Sequence, residues 1–573
     1  MKKSIFIYLS ILLLFATSCS KFLNEDNKGG ITNDKFYSKA DGYKTLVTAA
    51  YSDLRSIYGT TPILDLAGTD LYQEAKAEDA VALAALTRYQ SLDPSESHVE
   101  DFYTNCYKAI QAANAGLYYN NLPTDLSDAQ RTQYDGELRF LRAFYHFILM
   151  EQFGGIVISD EYTNSPKINI PRSSLADSYA FVISEMEQAL TEVSASASPG
   201  RVNKDVVNHY LAKVYLSRGW DLGSSDDFQK AKDYADAVIS SKGDISIPYN
   251  KLWDEAGENN KDFIFTVQYS LNSIADVQKD GNTQSSLFAS YGGSAGLGMK
   301  RSTETLIPAY QIHHSFQQND ERYAYDFMWY TYKPYFNYYN PDGTEQVMYY
   351  NPVIWDPNKT ELTAADSAQY IQEVKTMTGR DLASGFLLFP IWKNDRQKYA
   401  EQAWGGTSGR VPGFKKFDCP ENALNSTLEY SASVRDIVLA RLAGTYFLKA
   451  EACIALNQIP EARDLVQKVI DRPGNKIDPN GTDLTNALDN ATDQQSALEA
   501  LFLEKGKEML GEYDGRWPML RRTKMLKYML EKYNVDFEKN GITFQDKWYL
   551  RPIPENAITL NEGLTNDDQN PGY

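Results

Sequence analysis

The sequence is poor in the residues and patterns on which metal and nucleotide chemistry usually depend. Its 573 residues include only 5 His and 4 Cys, and it contains no HExxH pair, no Walker glycine loop and no dinucleotide-binding glycine motif after a strand. The cysteines are widely spaced without a zinc pattern. Cys106 and Cys453 fall in predicted helices and are best explained as small buried hydrophobic residues.

The sequence also lacks an excess of positive charge. It carries 57 basic and 76 acidic residues, which gives a formal net charge of -19. Association with nucleic acid or with an anionic lipid surface would begin with repulsion, so neither is an expected partner. Tyrosine is abundant by contrast, with 40 residues. Tyrosine-rich polar surfaces suit ligands that both stack and form hydrogen bonds.

No apolar run in the sequence is long enough to cross a bilayer. Near the N-terminus, two lysines precede an apolar run over residues 5–15, and small residues then lead to Cys19. This order is typical of a signal peptide. The position of the cysteine is similar to the lipobox of bacterial lipoproteins, which predicts removal of residues 1–18, lipidation of Cys19 and a flexible polar tether over residues 19–37. An ordinary signal peptide that happens to contain cysteine is the alternative.

Apolar residues recur at helical spacing in several segments. The most apolar of these, residues 136–155, predicts a buried helix that ends at a glycine pair. Arg139 and Arg142 within it are expected to link neighbouring helices, with a ligand role as the alternative. Further helices are predicted over residues 38–59, 100–119 and 175–193.

An internal repeat connects two distant parts of the chain. Residues 211–219 align without a gap with residues 442–450, and the same offset of 231 residues superposes five similar pairs: Ala212 and Ala443, Tyr215 and Tyr446, Ala231 and Ala462, Val238 and Val469, and Ile239 and Ile470. Small residues where two antiparallel helices touch, with an aromatic residue one turn on, resemble the tetratricopeptide pattern. The repeat therefore predicts helix pairs that bury their faces by stacking on neighbours.

The helical pattern breaks between residues 243 and 428. Residues 261–269 predict a short strand, and Gly, Asn, Ser and Pro are frequent elsewhere. Residues 323–350 hold 12 aromatic side chains in 28 positions, whereas the whole chain is 13% aromatic. At least half of these are expected to pack the irregular segment onto the scaffold. Trp329 and Tyr330 are candidates for an exposed platform on which a sugar ring stacks.

Two short motifs suggest chemistry that their surroundings do not support. Residues 292–296 match the G-x-S-x-G pattern of a serine nucleophile, but no strand precedes them and no acid and histidine follow at suitable spacing. Asp478, Asn480 and Asp483 could offer oxygen ligands to calcium, although a capping turn explains them as well or better. The acids are too numerous for any pair to be singled out for glycoside hydrolysis.

Several segments together point to a known family. They are the lipobox at Cys19 and residues 40–54, 107–114, 137–155, 441–457, 503–522 and 551–573. Along nearly the whole chain, these segments resemble the SusD/RagB family of outer-membrane nutrient-binding lipoproteins. Two departures from the usual pattern, LEKGKEML at residues 503–510 and Met519, lie in predicted structural helices and leave the expected fold unchanged.

This resemblance implies an all-α fold, in one domain over residues 38–573, with a few short strands. Tetratricopeptide-like helix pairs would form a scaffold from residues 38–242 and 429–535, with an irregular ligand-bearing region at 243–428 and a tail at 536–573. It also implies no catalysis. No cofactor is expected, with structural calcium as the alternative.

The function that the resemblance implies is capture of an oligosaccharide at the outer membrane, where the lipid anchor holds the protein. The oligosaccharide would then pass to a SusC-like TonB-dependent transporter. Peptide cargo, as in some members, and a protein-interaction scaffold without a small ligand are the alternatives.

Ligand residues vary within such a family, so only their order along the chain guides the choice. The segment after the first helix and the middle loops usually supply them. The residues expected to contact the ligand are Asp70, Lys76, Arg88, Tyr89, Tyr291, Trp329, Tyr330 and Trp404.

Overall fold

The computed structural model describes most of the chain after the predicted tether. The described part is mostly helical with short strands, which confirms the predicted fold class. None of the described helices is both long enough and apolar enough to cross a membrane. The described residues are 32–59, 62–74, 83–163, 165, 169–273, 281–287, 306–332, 338–339, 341–404, 410–418 and 433–573.

Helices dominate the N-terminal half. The predicted helices correspond to the second, fifth, sixth and seventh below. The sixth begins at Asp128 rather than at residue 136, because Ser127 and Gln130 form a capping box that starts the helix earlier. In chain order the helices are α1 (Asn33–Tyr37), α2 (Ala40–Tyr58), α3 (Ile63–Leu66), α4 (Ala84–Thr87), α5 (Ser97–Tyr119), α6 (Asp128–Phe153), α7 (Leu175–Glu192), α8 (Lys204–Leu222) and α9 (Ser225–Lys242).

Helix α6 forms the centre of this half, as its apolar sequence predicts. Every residue from Gly136 to Phe153 except Arg139 is buried, and Gly154 ends the helix with a positive φ of 78°. Arg139 and Arg142 reach Glu185 of α7 at 3.5 and 2.9 Å. These contacts confirm that the two arginines link neighbouring helices.

The middle region contains short helices and one longer helix that the sequence did not predict. That helix, α14, has a single buried residue, Val374, so its sequence carries almost no apolar stripe. A capping box at Thr363 starts it and Gly379 ends it. The helices here are α10 (Tyr249–Leu252), α11 (Gln284–Leu287), α12 (Tyr310–Ser315), α13 (Glu321–Asp326), α14 (Ala364–Thr378) and α15 (Arg396–Trp404).

The C-terminal part returns to helices and completes the scaffold. They are α16 (Leu442–Ala455), α17 (Ile459–Ile470), α18 (Gln494–Glu508), α19 (Arg516–Arg522), α20 (Leu526–Tyr533), α21 (Val535–Lys539) and α22 (Glu555–Thr559). The two aligned segments of the repeat form the helix pairs α8–α9 and α16–α17, and α9 packs on α16. The aligned alanines and tyrosines are all buried. The repeat therefore marks two stacked helix pairs, as predicted.

Short strands join the middle region to this scaffold. The predicted strand at residues 261–269 is the second below. It pairs antiparallel with the strand that leads into α16. The other pairs are β1 with β3, β4 with β10, β5 with β6, β6 with β8, and β7 with β9. The strands are β1 (Tyr72–Glu74), β2 (Phe263–Val267), β3 (Leu306–Pro308), β4 (Phe327–Met328), β5 (Tyr330–Tyr332), β6 (Val347–Tyr350), β7 (Val353–Ile354), β8 (Leu382–Leu388), β9 (Ile391–Trp392), β10 (Gly413–Phe414) and β11 (Ile437–Arg441).

A buried charge cluster also joins the middle region to the scaffold. The carboxylate of Glu508, at the end of α18, accepts hydrogen bonds from Arg441 at 2.8 Å, Arg472 at 2.9 Å and Arg322 at 3.1 Å. All four side chains are at most 1% exposed. Burial alone would raise the pKa of Glu508, but the three arginines outweigh it and hold the pKa well below its usual range. Arg322 comes from α13, in the irregular region.

Replacing Glu508 by glutamine keeps its shape and removes its charge, so three buried guanidinium groups lose their shared counterion. We expect Glu508→Gln to lower the free energy of unfolding by about 3 to 5 kcal/mol. Glu461→Gln is the matched control, because its side chain is 41% exposed and pairs with Lys232, and it should cost less than about 1 kcal/mol. Urea unfolding followed by circular dichroism measures both. Equal losses in the two variants would contradict the account of the cluster.

Asp326 of α13 makes the stability of the folded protein depend on pH. Its carboxylate is buried and accepts a hydrogen bond from Tyr249 at 3.1 Å. Burial raises the pKa of Asp326 from 3.8 to about 7. Between these values the folded protein holds a proton that the unfolded chain has lost. The contribution of Asp326 to stability is therefore full below pH 3.8 and falls as the pH rises to about 7.

We therefore expect Asp326→Asn to gain stability relative to the unsubstituted protein on going from pH 5 to pH 8, by about 2 to 3 kcal/mol in the difference of unfolding free energies. Urea unfolding of both proteins at the two pH values measures this difference. Asp381→Asn is the control, because that side chain is 86% exposed. A difference that stays constant with pH for Asp326→Asn would show that the buried carboxylate is ionised throughout.

Candidate functional site

A cleft with two chambers opens on the irregular region, beside α12, α13 and α14. The smaller chamber has a volume of about 440 Å³ and the larger about 810 Å³. Gln318, Trp355 and Ile477 line both chambers, so they form the boundary between them. Volumes of this size are typical of small-ligand sites.

Two tryptophans form the aromatic wall of the smaller chamber. Trp329 lies between β4 and β5, and Trp355 directly follows β7; both are half-buried. The buried ring of Tyr323 contacts both of them edge-on, with centroids 4.7 and 6.0 Å away. Its hydroxyl pairs with His313 at 3.0 Å, and burial lowers the pKa of that imidazole to about 3, so it is neutral. On the side of Tyr323, both tryptophans are thus held by aromatic contacts and no charged group.

Strand pairing positions the wall between the chambers. Ile354 of β7 pairs with Trp392 of β9, which places the residues that follow them, Trp355 and Lys393, side by side. The Lys393 ammonium lies 4.2 Å from the centre of the Trp355 ring and donates to the carbonyl oxygen of Phe316. Burial, together with repulsion from Lys507, lowers the pKa of Lys393 to about 8. These contacts hold the lysine under the ring.

Polar groups stand around the aromatic wall. The Tyr350 hydroxyl donates to Glu373 at 2.5 Å, which fixes that exposed carboxylate at the edge of the smaller chamber. Gln318 and Asn394 are exposed, and within the described part of the chain their side chains make no hydrogen bond. Flat aromatic faces next to amides and a carboxylate suit a polar ligand with one apolar face.

The loop that carries Ile477 is anchored by Asn319. The amide of Asn319 donates to the carbonyl oxygens of Asp478 and Thr482 at 3.1 and 3.0 Å. Asp478 itself accepts from the backbone of Asn480 at 2.9 Å, whereas Asp483 pairs with Lys476 at 2.8 Å. These contacts are those of a capped turn. Among the residues that the structure describes, no group of three or more His, Cys, Asp or Glu side chains is arranged to hold a metal ion.

The structure separates the two aromatic residues predicted for the site. Trp329 lines the smaller chamber. Its neighbour Tyr330 does not line either chamber and packs between Tyr332 and Tyr338, with ring centroids 5.5 and 5.2 Å away. Side chains at adjacent positions of an extended chain point to opposite faces. Of these two residues, only Trp329 lines the cleft.

The residues predicted from the segment after α2 are engaged in the scaffold. Asp70 is fully buried and forms a two-point ion pair with Arg516, at 2.9 and 2.5 Å. Tyr89 is buried, donates to the carbonyl oxygen of Gly68 and accepts from Trp517, both at 2.8 Å. This burial argues against the predicted ligand role of Asp70 and Tyr89. Arg88 is half-buried and pairs with the buried Glu74.

Several sequence predictions fall outside the described residues. These are the lipidated Cys19, Lys76, Tyr291, the G-x-S-x-G segment at residues 292–296, and the side chain of Trp404 at the end of α15. Their proposed roles stay predictions.

Three residues that line the cleft were not among those predicted from the sequence: Gln318, Trp355 and Glu373. Trp355 lies just beyond the aromatic-rich residues 323–350, in the sequence Ile-Trp-Asp-Pro. A single tryptophan directly before a turn was the available signal. Gln318 and Glu373 are ordinary surface residue types, and only the tertiary structure brings them to the tryptophans.

Comparison with known sequences gives two family matches. A SusD-like family described as starch-binding and associating with the outer membrane matches residues 34–216. A family described as the SusD family matches residues 256–573, which is more than half of the chain.

Individual relatives agree with these matches. A SusD-like protein of Bacteroides ovatus is 22% identical over 47% of this chain, and the match spans about half the length (50%) of that relative. The starch-binding protein SusD of Bacteroides thetaiotaomicron is 24% identical over 36% of this chain and 35% of its own length. The structure of surface glycan-binding protein A from B. thetaiotaomicron in complex with laminarihexaose is 16% identical, with a TM-score of 0.65 over 93% of this chain and 99% of that one. Because the SusD family matches more than half of the present 573-residue chain, that chain belongs to the SusD family.

Proposed function

We propose that the protein binds oligosaccharides in the two-chamber cleft and does not act on them chemically. One observation carries the proposal: Trp355 forms the wall between the chambers, and Trp329 lines the smaller one, with amides and carboxylates beside both. One face of a sugar ring consists of C–H groups that pack on an indole, whereas its hydroxyl groups at the edge form hydrogen bonds. The cleft offers both kinds of partner at once.

The family supports the same ligand class. Two of the relatives above are named for starch binding and for glycan binding, and the structure of the latter is a complex with laminarihexaose. At identities of 24% and 16%, this ligand class comes to the present chain only as part of the proposal.

We further propose that the protein works at the outer membrane, held by lipid on Cys19, and passes its ligand to a SusC-like TonB-dependent transporter. The N-terminal pattern that ends at Cys19 supports the anchor. The description of the matching family as associating with the outer membrane supports the location.

Removing an aromatic wall should weaken ligand binding without unfolding the protein. We expect Trp355→Ala and Trp329→Ala each to cost about 2 kcal/mol or more of binding free energy, because each removes a stacking surface at the centre of the site. Isothermal titration against a panel of oligosaccharides and peptides measures this, with circular dichroism to check folding. Tyr118→Ala is the control, since Tyr118 is 62% exposed and lies outside the cleft.

Two results would refute the oligosaccharide proposal. Binding of peptides but of no oligosaccharide would favour peptide cargo. Retention of a copurifying protein with no response to any small ligand would favour an interaction scaffold.

The anchor gives a separate prediction. We expect Cys19→Ala to abolish incorporation of labelled palmitate and to move the protein from the detergent phase to the aqueous phase, because the variant has no cysteine at the position that would carry the acyl chains. Globomycin, which blocks lipoprotein processing, should increase the apparent size of the unsubstituted protein only. No change in either experiment would contradict lipidation.

A TonB-dependent transporter should copurify with the unsubstituted protein from detergent-solubilised outer membranes, and its absence would count against the partner.

A further inference from the structure

The charges that line the cleft are unevenly distributed. Three exposed carboxylates face it: Asp356 and Glu373 in the smaller chamber and Asp478 in the larger. Within the described residues, none of the three forms an ion pair. The fourth acid of the cleft, Asp320, is buried and paired with Arg322 at 2.8 Å. Three negative charges therefore remain uncompensated where a ligand would lie.

Cations are almost missing from the same surface. Among the described residues that line the chambers, Lys393 is the sole lysine or arginine. It is only 8% exposed, and its ammonium is held between the Trp355 ring and the carbonyl oxygen of Phe316. An anionic group on a ligand would therefore meet a largely buried ammonium that already has partners within the protein. His314, which lines the larger chamber, donates a hydrogen bond from Nδ1 to the carbonyl oxygen of Lys393 at 2.7 Å.

We infer that the cleft selects uncharged oligosaccharides and rejects those that carry carboxylate or sulfate groups. The inference rests on the proposed function and names the ligand class of the same site. Carboxylates accept hydrogen bonds from sugar hydroxyl groups, and hydrogen bonds to charged acceptors are strong. The same carboxylates repel a uronate or a sulfate ester, for which the cleft supplies no exposed cation in the described residues. The net charge of -19 adds repulsion at longer range.

The position of Glu373 makes it the main discriminating group. Its carboxylate is fixed by the Tyr350 hydroxyl at 2.5 Å, in the chamber that Trp329 and Trp355 wall. A sugar stacked on either indole would bring its edge substituents toward Glu373 or Asp356. A hydroxyl there gains an acceptor, whereas a carboxylate there meets a like charge.

The test is isothermal titration of the intact protein with two sets of hexasaccharides. The uncharged set is maltohexaose, laminarihexaose, xylohexaose and mannohexaose, and the charged set is made from polygalacturonate, alginate and chondroitin sulfate. Where an uncharged binder has free primary hydroxyl groups, its C6-oxidised form, in which they become carboxylates, gives a matched pair of equal length and linkage. We expect binding within the uncharged set only, and binding of the oxidised form at least about ten-fold weaker.

Variants and salt separate charge from shape. Combining Glu373→Gln with Asp356→Asn keeps both shapes and should reduce the discrimination to about three-fold or less, since two of the three carboxylates are gone. The discrimination of the unsubstituted protein should also shrink from 0.05 to about 1 M salt, where the screening length falls to about 3 Å. Asp41→Asn removes one charge outside the cleft, where the side chain is 97% exposed, and should leave the discrimination unchanged.

The outcomes distinguish this inference from the function on which it rests. Equal binding of a neutral hexasaccharide and its oxidised form, or tighter binding of any charged hexasaccharide, would overturn the inference while oligosaccharide binding stands. Discrimination that survives in the double variant and in high salt would overturn the assignment to charge. Failure of every hexasaccharide in both sets to bind would overturn the proposed function and the inference together.

Discussion

The attachment of the middle region to the scaffold depends on the ion pairs that the buried carboxylate of Glu508 forms. It accepts hydrogen bonds from three arginines, of which Arg441 and Arg472 belong to the scaffold and Arg322 to the irregular middle region. A buried charge is costly unless it is fully paired. Leaving Arg322 or Glu508 buried without its partner would be costly, so this ion pair holds α13 against the scaffold. The segments around α13 have little regular structure of their own.

This attachment also positions the residues that shape the cleft. Tyr323 is the residue after Arg322, and its ring supports both Trp329 and Trp355. Charge thus fixes the base of the site, whereas aromatic contacts shape its wall. The exposed lining of the cleft, at residues such as Gln318, can change without disturbing the buried ion pairs.

The sequence predicted the scaffold well because its signals are local. The apolar stripe of α6 and the repeated alanines and tyrosines of α8 and α16 report burial directly. The site was harder to predict, because it is made by distant contacts. Arg322 and Glu508 are 186 residues apart, and Trp355 reaches the cleft only through the pairing of β7 with β9. Composition identified the aromatic segment but could not say which face of the chain Trp329 or Tyr330 would occupy.

The most direct test of the central claim is a crystal structure of the protein with the uncharged hexasaccharide that binds most tightly in titration. The account predicts a sugar ring stacked on Trp355, with further rings extending into the chambers on both sides and hydroxyl groups within hydrogen-bond distance of Glu373 or Gln318. A hexasaccharide bound on another face of the molecule, with the Trp355 ring left uncovered, would contradict it.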